Sequence, residues 1–251
     1  MSSKYFIKTS PQIGESLILE DETAFHLARV LRVRVGDDVV LCDGKNTDYL
    51  CKVSEVSSKS VSLVVEEVMK CETELPVSVV LVQALPKAGK IDLIIQKAVE
   101  LGATEIHPVY TRFCDVKPKN EKPSRWQKIS ESAAGQSGRG IIPEVFEPVS
   151  FEKFVKNVTF SDCLHLPAYE KNDTATILTA FSTYVSRHTT LPLRIYVYVG
   201  PEGGFAEQEI NLLVKSGAIA VSLGKRILRT ETAGLAALAQ IGLVLEDYRT
   251  F

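Results

Sequence analysis

Two stretches near the C-terminus decide the reading: Arg194-Ile-Tyr-Val-Tyr-Val-Gly-Pro-Glu-Gly-Gly-Phe205 and Ala220-Val-Ser-Leu-Gly-Lys-Arg-Ile-Leu-Arg-Thr-Glu-Thr-Ala-Gly234. Each is a β-branched, apolar run, then a tight glycine loop, then the start of a helix, which spells strand, loop and helix. In open α/β sheets, loops at the carboxyl ends of neighbouring parallel strands bind ligands. Glycine there removes Cβ, so a ligand can lie against bare amides and carbonyls. Glu202, Arg229 and Glu231 stand beside these loops.

Working outward, strands are expected at Val77–Gln83, Ile106–Tyr110, Leu164–Leu166, Ile195–Val199 and Ala220–Leu223. Helices are expected at Ile91–Leu101, Ser124–Gln136 and roughly 174–186, 206–216 and 231–247. Strands alternating with helices of this length mean parallel βαβ units covered on both faces, an α/β fold. The last helix carries Leu235, Leu238, Ala239, Ile241, Gly242 and Leu245, a broad apolar surface to be buried internally or against a second subunit. Residues 1–72 follow another pattern. Asp37–Gly44, Tyr49–Ser54 and Ser60–Val65 alternate with period two between Gly-Asp and Asp-Gly turns, as in a small antiparallel barrel or sandwich. One helix is expected there, from Asp21 to about Arg34. The polar, proline-ended Cys71–Pro76 marks the boundary, giving domains 1–72 and 73–251.

Of the 251 residues, 45% are apolar and 24% charged, enough for a full core. No apolar run reaches the roughly 20 residues of a membrane span, and the N-terminus lacks a secretory signal. A cytoplasmic protein is expected. Five cysteines without Cys-x-x-Cys spacing read as free thiols, and four scattered histidines suggest no metal. A net charge of −2 argues against nonspecific nucleic-acid binding by the whole surface. Locally, Arg112 to Arg139 holds seven Lys/Arg against three Asp/Glu, and Lys225, Arg226 and Arg229 crowd the second loop. A phosphate-binding face and a solvated charged face are both open readings of these.

Gly200–Phe205 followed by Leu223-Gly-Lys-Arg-Ile-Leu-Arg-Thr-Glu-Thr-Ala233 resembles the signature of bacterial 16S ribosomal RNA uridine-N3 methyltransferases, the RsmE-type enzymes of the SPOUT class. The resemblance extends to His26–Arg32 with Gly36-Asp37, to Lys87–Gly102, and to Arg125-Trp126 with Gln136–Arg139. The matching segments run in family order from about residue 20 to residue 245.

The resemblance implies a C-terminal α/β trefoil-knot domain binding S-adenosylmethionine and an N-terminal PUA-like RNA-binding barrel. Physics alone predicts no knot, because threaded chains are essentially absent as a rule. It further implies a homodimer acting on 16S rRNA within the 30S subunit. The cofactor residues are then Gly200, Pro201, Gly203, Gly204, Leu223, Gly224, Ile227, Leu228, Thr230 and Thr232. Thr230 or Thr232 also suits a helix N-cap. Glu202, Arg229 and Glu231 become the catalytic candidates. Arginine is too basic to accept the uridine N3 proton, so a partly desolvated Glu202 or Glu231 is the acceptor. RNA contacts are expected from Arg29, Arg32, Lys87, Lys90, Arg112, Gln136, Arg139 and Arg226, with Arg29 and Arg32 three apart on one helix face. The chain departs from the family at Lys4, where arginine is expected, and at Gly135, where glutamate is expected. The rivals are a SPOUT enzyme with another RNA target and a noncatalytic assembly factor. A Rossmann enzyme lacks its Gly-x-Gly-x-x-Gly here.

Overall fold

The computed structural model of the chain describes residues 4–20, 22–57, 59–87, 89–115, 123–171, 175–188 and 190–248. Two compact units result: Met1–Glu74 with Ala134–Ile142, and Leu75–Ala133 with Pro143–Phe251.

The first unit is a five-stranded sheet of β1 (Tyr5–Phe6), β2 (Ser16–Leu19), β3 (Asp38–Cys42), β4 (Thr47–Val56) and β5 (Val61–Lys70), in the order β1-β3-β4-β5-β2. The period-two pattern works as expected: Tyr49, Cys51 and Val53 of β4 and Val61, Leu63 and Val65 of β5 all point into one core. The sheet is not wholly antiparallel, since the edge pair β1 and β3 runs parallel. Asp43 forms the β3–β4 turn, its Oδ1 accepting the amides of Lys45 (2.8 Å) and Thr47 (3.2 Å).

The expected helix after Asp21, itself outside the described residues, is only partly α-helical. α1 (Glu22–Phe25) runs into a π-helical turn over His26–Leu31, and Arg32 leaves it with φ 55° in the left-handed region. Ala24 of α1 and Leu27 of the wider turn are both buried in the core. It also cancels the three-apart argument that set Arg29 and Arg32 on one face, although both side chains are exposed.

Residues 134–142 join this unit through backbone pairing invisible to local periodicity: Lys4 N–H donates to Gly135 O (2.9 Å) and Asn46 N–H to Gly140 O (2.8 Å). Both family departures sit in this seam. Lys4 Nζ pairs with Asp48 and contacts Cys71 Sγ at 3.0 Å. A Cβ on residue 135 would lie 2.7 Å from the Lys4 carbonyl oxygen, so glycine is required.

The second unit is built on a parallel sheet of β6 (Ser78–Ala84), β7 (Ala103–Tyr110), β8 (Glu144–Val145), β10 (Cys163–Pro167) and β11 (Arg194–Val199), ordered β10-β11-β6-β7-β8, with β9 (Val149–Ser150) also on β7. Buried on both faces, its strands read as the near-continuous apolar runs expected of parallel sheets. One face packs on α4 (Phe151–Asn157) and α6 (Glu207–Lys215). The helices α2 (Ile91–Glu100), α5 (Ile177–His188) and α7 (Thr230–Tyr248) pack with β7, β10, β11 and one another. α3 (Pro123–Ser137) carries the buried Trp126. α7 turns Gly234, Ala237, Leu238, Ile241 and Leu245 inward and leaves Leu243 exposed.

Four elements of this unit depart from expectation, the unforeseen short strands β8 and β9 among them. Ala220–Leu223 forms no strand, only a single parallel bridge from Val221 to Ala168. α4 has no counterpart in the expected set; Ser150 caps it, with the Lys153 amide donating to Ser150 Oγ at 3.2 Å. Among the described residues no helix is long and apolar enough to cross a membrane.

Candidate cofactor and methyl-transfer site

Strand order explains where the site lies. β6 continues to β7 on one side, while β11 and β10 lie on its other side, so the β6/β11 boundary is a topological switch point. Beyond β10, the chain at 219–222 is held by backbone bonds: Ile219 N–H to His165 O (2.9 Å), Val221 N–H to Pro167 O (2.9 Å) and Tyr169 N–H to Val221 O (3.0 Å). The two glycine loops therefore do not follow adjacent strands. β10 stands between them and brings Ala168–Glu170 into the gap.

These three segments enclose a cavity of about 510 Å3, lined also by Lys90, Val199, Thr230 and Ala233. Gly200, Pro201, Gly203, Gly204, Leu223, Gly224, Ile227, Leu228 and Thr230 all line it, as do Glu202, Arg226 and Arg229. Thr232 does not: it is exposed on α7, and its amide donates to Arg229 O at 2.9 Å. The loop after β11 closes so tightly on itself that glycine is needed. A Cβ on Gly200 would sit 2.9 Å from the Gly204 carbonyl carbon, and Gly204 itself has φ +71°. The space, bare backbone and apolar Leu223 and Leu228 suit an adenosyl group.

Thr230 begins α7 but does not act as a simple N-cap. Its Oγ1 donates to Gly200 O at 2.6 Å and accepts from Gln83 Nε2 at 3.0 Å, tying β6, the β11 loop and α7 together. Glu231 follows in the first turn. Its own backbone N–H, then Lys90 and Arg229, hold its carboxyl below the usual carboxylate range, against the opposing effect of burial. This reverses the expectation of a desolvated, proton-hungry Glu231. Lys90 lies between the acidic candidates, Nζ at 3.3 Å from Glu202 Oε1 and 3.1 Å from Glu231 Oε2. The hydrogen bonds to Glu231 and then Glu202 raise its pKa, so it stays an ammonium. The Lys87 amide donates to Glu202 at 3.2 and 3.4 Å, while Lys87 Nζ pairs with Asp115.

The remaining basic candidates are spread out. Arg29, Arg32, Arg112 and Gln136 are exposed. Arg112 is anchored by its amide, which donates to the buried Glu209 Oε1 at 2.9 Å. Lys117, Lys119 and Lys122 of the basic stretch lie outside the described residues. Arg139 needs correction. It is 3% exposed, and its Nε donates to Glu74 Oε1 at 3.2 Å with Nη2 on Oε2, so it holds the first unit together rather than facing RNA.

Sequence reasoning missed Ala168, Tyr169 and Glu170, although they follow a strand read correctly at Leu164–Leu166; a carboxyl-end loop there was the available signal. Glu170 Oε1 lies 3.2 Å from where a Gly204 Cβ would be. It lines the cavity without a hydrogen bond or ion pair among the described residues. Among those residues no cluster of three or more His, Cys, Asp or Glu is placed to hold a metal ion.

A family model described as an RNA methyltransferase domain matches residues 73–242, and one described as an RNA methyltransferase PUA domain matches residues 19–66. The ribosomal RNA small subunit methyltransferase E of Bacillus subtilis is 35% identical, the alignment covering 98% of each chain. A crystal structure of a ribosomal RNA small subunit methyltransferase E from Neisseria gonorrhoeae bound to S-adenosyl methionine is similar at TM-score 0.85 and 30% identity, covering 97% of this chain and 98% of that one. A putative methyltransferase from Legionella pneumophila, in complex with the bound cofactor SAM, is similar at TM-score 0.81 and 30% identity, with the same coverage. A model match over most of the chain, a relative this similar from end to end, and a glycine-walled cavity at the ends of β10 and β11 make one family: the chain belongs to the RNA methyltransferases of the ribosomal RNA small subunit methyltransferase E type.

Proposed function

We propose that this chain transfers a methyl group from S-adenosylmethionine to N3 of one uridine in 16S rRNA, with the small ribosomal subunit as substrate. The observation that carries the reading is the 510 Å3 cavity walled by Gly200–Gly204 and Leu223–Leu228, in which a Cβ on Gly200 would meet the Gly204 backbone at 2.9 Å. Leu223, Gly224, Ile227, Leu228 and Thr230 would hold the adenosyl group, with Gly200, Pro201, Gly203 and Gly204 opposite. Glu170, a carboxylate on the wall without a hydrogen bond or ion pair among the described residues, suits its ribose hydroxyls. When bound, the cofactor supplies a methyl already activated on a sulfonium. The protein's share is to orient the base, exclude water and take the N3 proton. Glu202 is the acceptor in this reading, because it lines the cavity and Glu231 does not.

Arg229 and Arg226, charged and exposed at the cavity, are proposed to meet the target nucleotide and its phosphates, with Arg29, Arg32, Lys87, Arg112 and Gln136 as further RNA contacts. Residues 1–72 serve as the RNA-binding domain and 73–251 as the methyltransferase domain, in a cytoplasmic homodimer with a trefoil knot. Ile227, 88% exposed beside the cavity, and Leu243, exposed on α7, are apolar side chains that a second copy would cover. Mass spectrometry of nucleosides from 16S rRNA tests the reading. A strain lacking the gene should lose one N3-methyluridine and regain it on complementation; persistence of that nucleoside would contradict the assignment.

A further inference from the structure

One ammonium group serves two carboxylates at the cavity. Lys90 stands just before α2, Glu202 in the loop after β11, and Glu231 in the first turn of α7. Lys90 Nζ reaches Glu202 Oε1 at 3.3 Å and Glu231 Oε2 at 3.1 Å. Lys90 and Glu202 line the cavity and Glu231 does not, so the three groups run from the wall outward.

An exposed ion pair on its own contributes little. Here, however, three separate elements bring their charges to one point, and the backbone amide of Lys87 donates to both oxygens of Glu202, at 3.2 and 3.4 Å. Among the described residues, Lys87 also acts on Glu202 through its charge. Lys87 Nζ is taken by Asp115, and Arg229 acts on Glu231. Lys90 is thus the cation in hydrogen-bond contact with Glu202 through its side chain among the described residues.

We propose that Lys90 is a positioning residue of the methyl-transfer site: its ammonium fixes the Glu202 carboxylate at the cavity wall, with Glu231 as the counter-charge behind it, so that Glu202 receives the proton leaving uridine N3. The inference rests on the methyltransferase reading above and deepens it. The N3–H bond breaks, its proton passing to a Glu202 oxygen. The electron pair left on N3 forms the new bond to the methyl carbon, and the old carbon–sulfur pair stays on sulfur. Glu202 then gives the proton to water. Glu231 is unsuited to the acceptor's part because it does not line the cavity, whereas the Glu202 carboxylate does. The placement of Lys90 also moves it from the RNA contacts expected of it into the reaction centre.

The test compares the full-length protein with Lys90→Met and Lys90→Arg, using small subunits that lack the modification. In single-turnover reactions at saturating S-adenosylmethionine, Lys90→Met should be slower by roughly 10-fold or more, because a misplaced proton acceptor forfeits part of its effect. Its cofactor affinity by calorimetry should stay within about 3-fold, the pattern of an interaction used only in the transition state. Lys90→Arg should recover most of the rate, and its unfolding midpoint shows that the fold is intact. In carboxyl-carbon NMR titrations without cofactor, Glu231 should titrate at higher pH in Lys90→Met than in the parent. A wild-type rate in Lys90→Met, an affinity loss equal to the rate loss, or an unmoved Glu231 titration would each overturn the proposal. Should the parent methylate no small subunit, the functional reading fails separately, and the NMR titration still decides whether Lys90 governs the pair.

Discussion

Thr230 Oγ1 donates to the carbonyl oxygen of Gly200 at 2.6 Å across 30 residues of chain, fastening the start of α7 to the glycine loop of β11. The same hydroxyl accepts from the buried Gln83 of β6, so three elements meet at one atom.

Thr230→Val keeps the shape and removes that atom's hydrogen bonds. It leaves the Gly200 carbonyl without its donor, at a cost of about 1–3 kcal/mol. Calorimetry should show weakened cofactor binding and thermal unfolding a lowered midpoint, while Thr230→Ser should behave much like the parent.

The glycine loop makes a sharper prediction. Gly200→Ala places a Cβ 2.9 Å from the Gly204 backbone, so the loop must move. Cofactor affinity should fall by roughly 10-fold or more, equal to about 1.4 kcal/mol. Gly242→Ala is the contrast, because nothing lies within 4 Å of its Cβ position in the interior of α7. It should stabilise the protein by about 0.5–1 kcal/mol, read from denaturant unfolding.

Arg139 and Glu74 form a nearly buried pair in the first unit, with side-chain exposures of 4% and 14%. Arg139→Ala strands the Glu74 carboxylate and should destabilise that unit by about 3–5 kcal/mol. The double variant with Glu74→Ala should recover part of the loss, and cofactor affinity should not change in either. A stable Arg139→Ala protein with weakened RNA binding would return Arg139 to the RNA contacts.

His165 on β10 predicts a pH response. Burial between Tyr196 and Phe160 lowers its pKa to about 4, and its ring bonds Tyr198 Oη (2.7 Å) and Thr159 O (2.9 Å). The unfolded chain takes up this proton near pH 6.5, before the folded protein does. The stabilisation is therefore complete above about pH 6.5 and is lost as pH falls toward 4, by on the order of 3 kcal/mol. Denaturant unfolding between pH 7 and 4.5 should show this slope in the parent and a shallower one in His165→Gln.

Much of this was legible in the chain. The runs Ser78–Ala84 and Arg194–Val199 and the helical stretches Ile91–Glu100 and Thr230–Tyr248 carry long, unambiguous periodicities. What stayed hidden depends on distant partners. Residues 134–142 belong with the first unit because Gly135 and Gly140 pair with Lys4 and Asn46, about 130 and 94 positions away along the chain. Val221 makes one bridge because its neighbours turn at once into the loop. At the site, glycine spacing announced both lips of the cavity. The third wall at Ala168–Glu170 and the sharing of Lys90 by two carboxylates follow from strand order, which local pattern does not contain.

The most direct measurement of the central claim is a crystal structure of this protein grown with S-adenosylhomocysteine. The account predicts the adenosyl group between Gly200–Gly204 and Leu223–Leu228, its ribose toward Glu170. Density for the nucleoside elsewhere, or no binding in calorimetry, would contradict it.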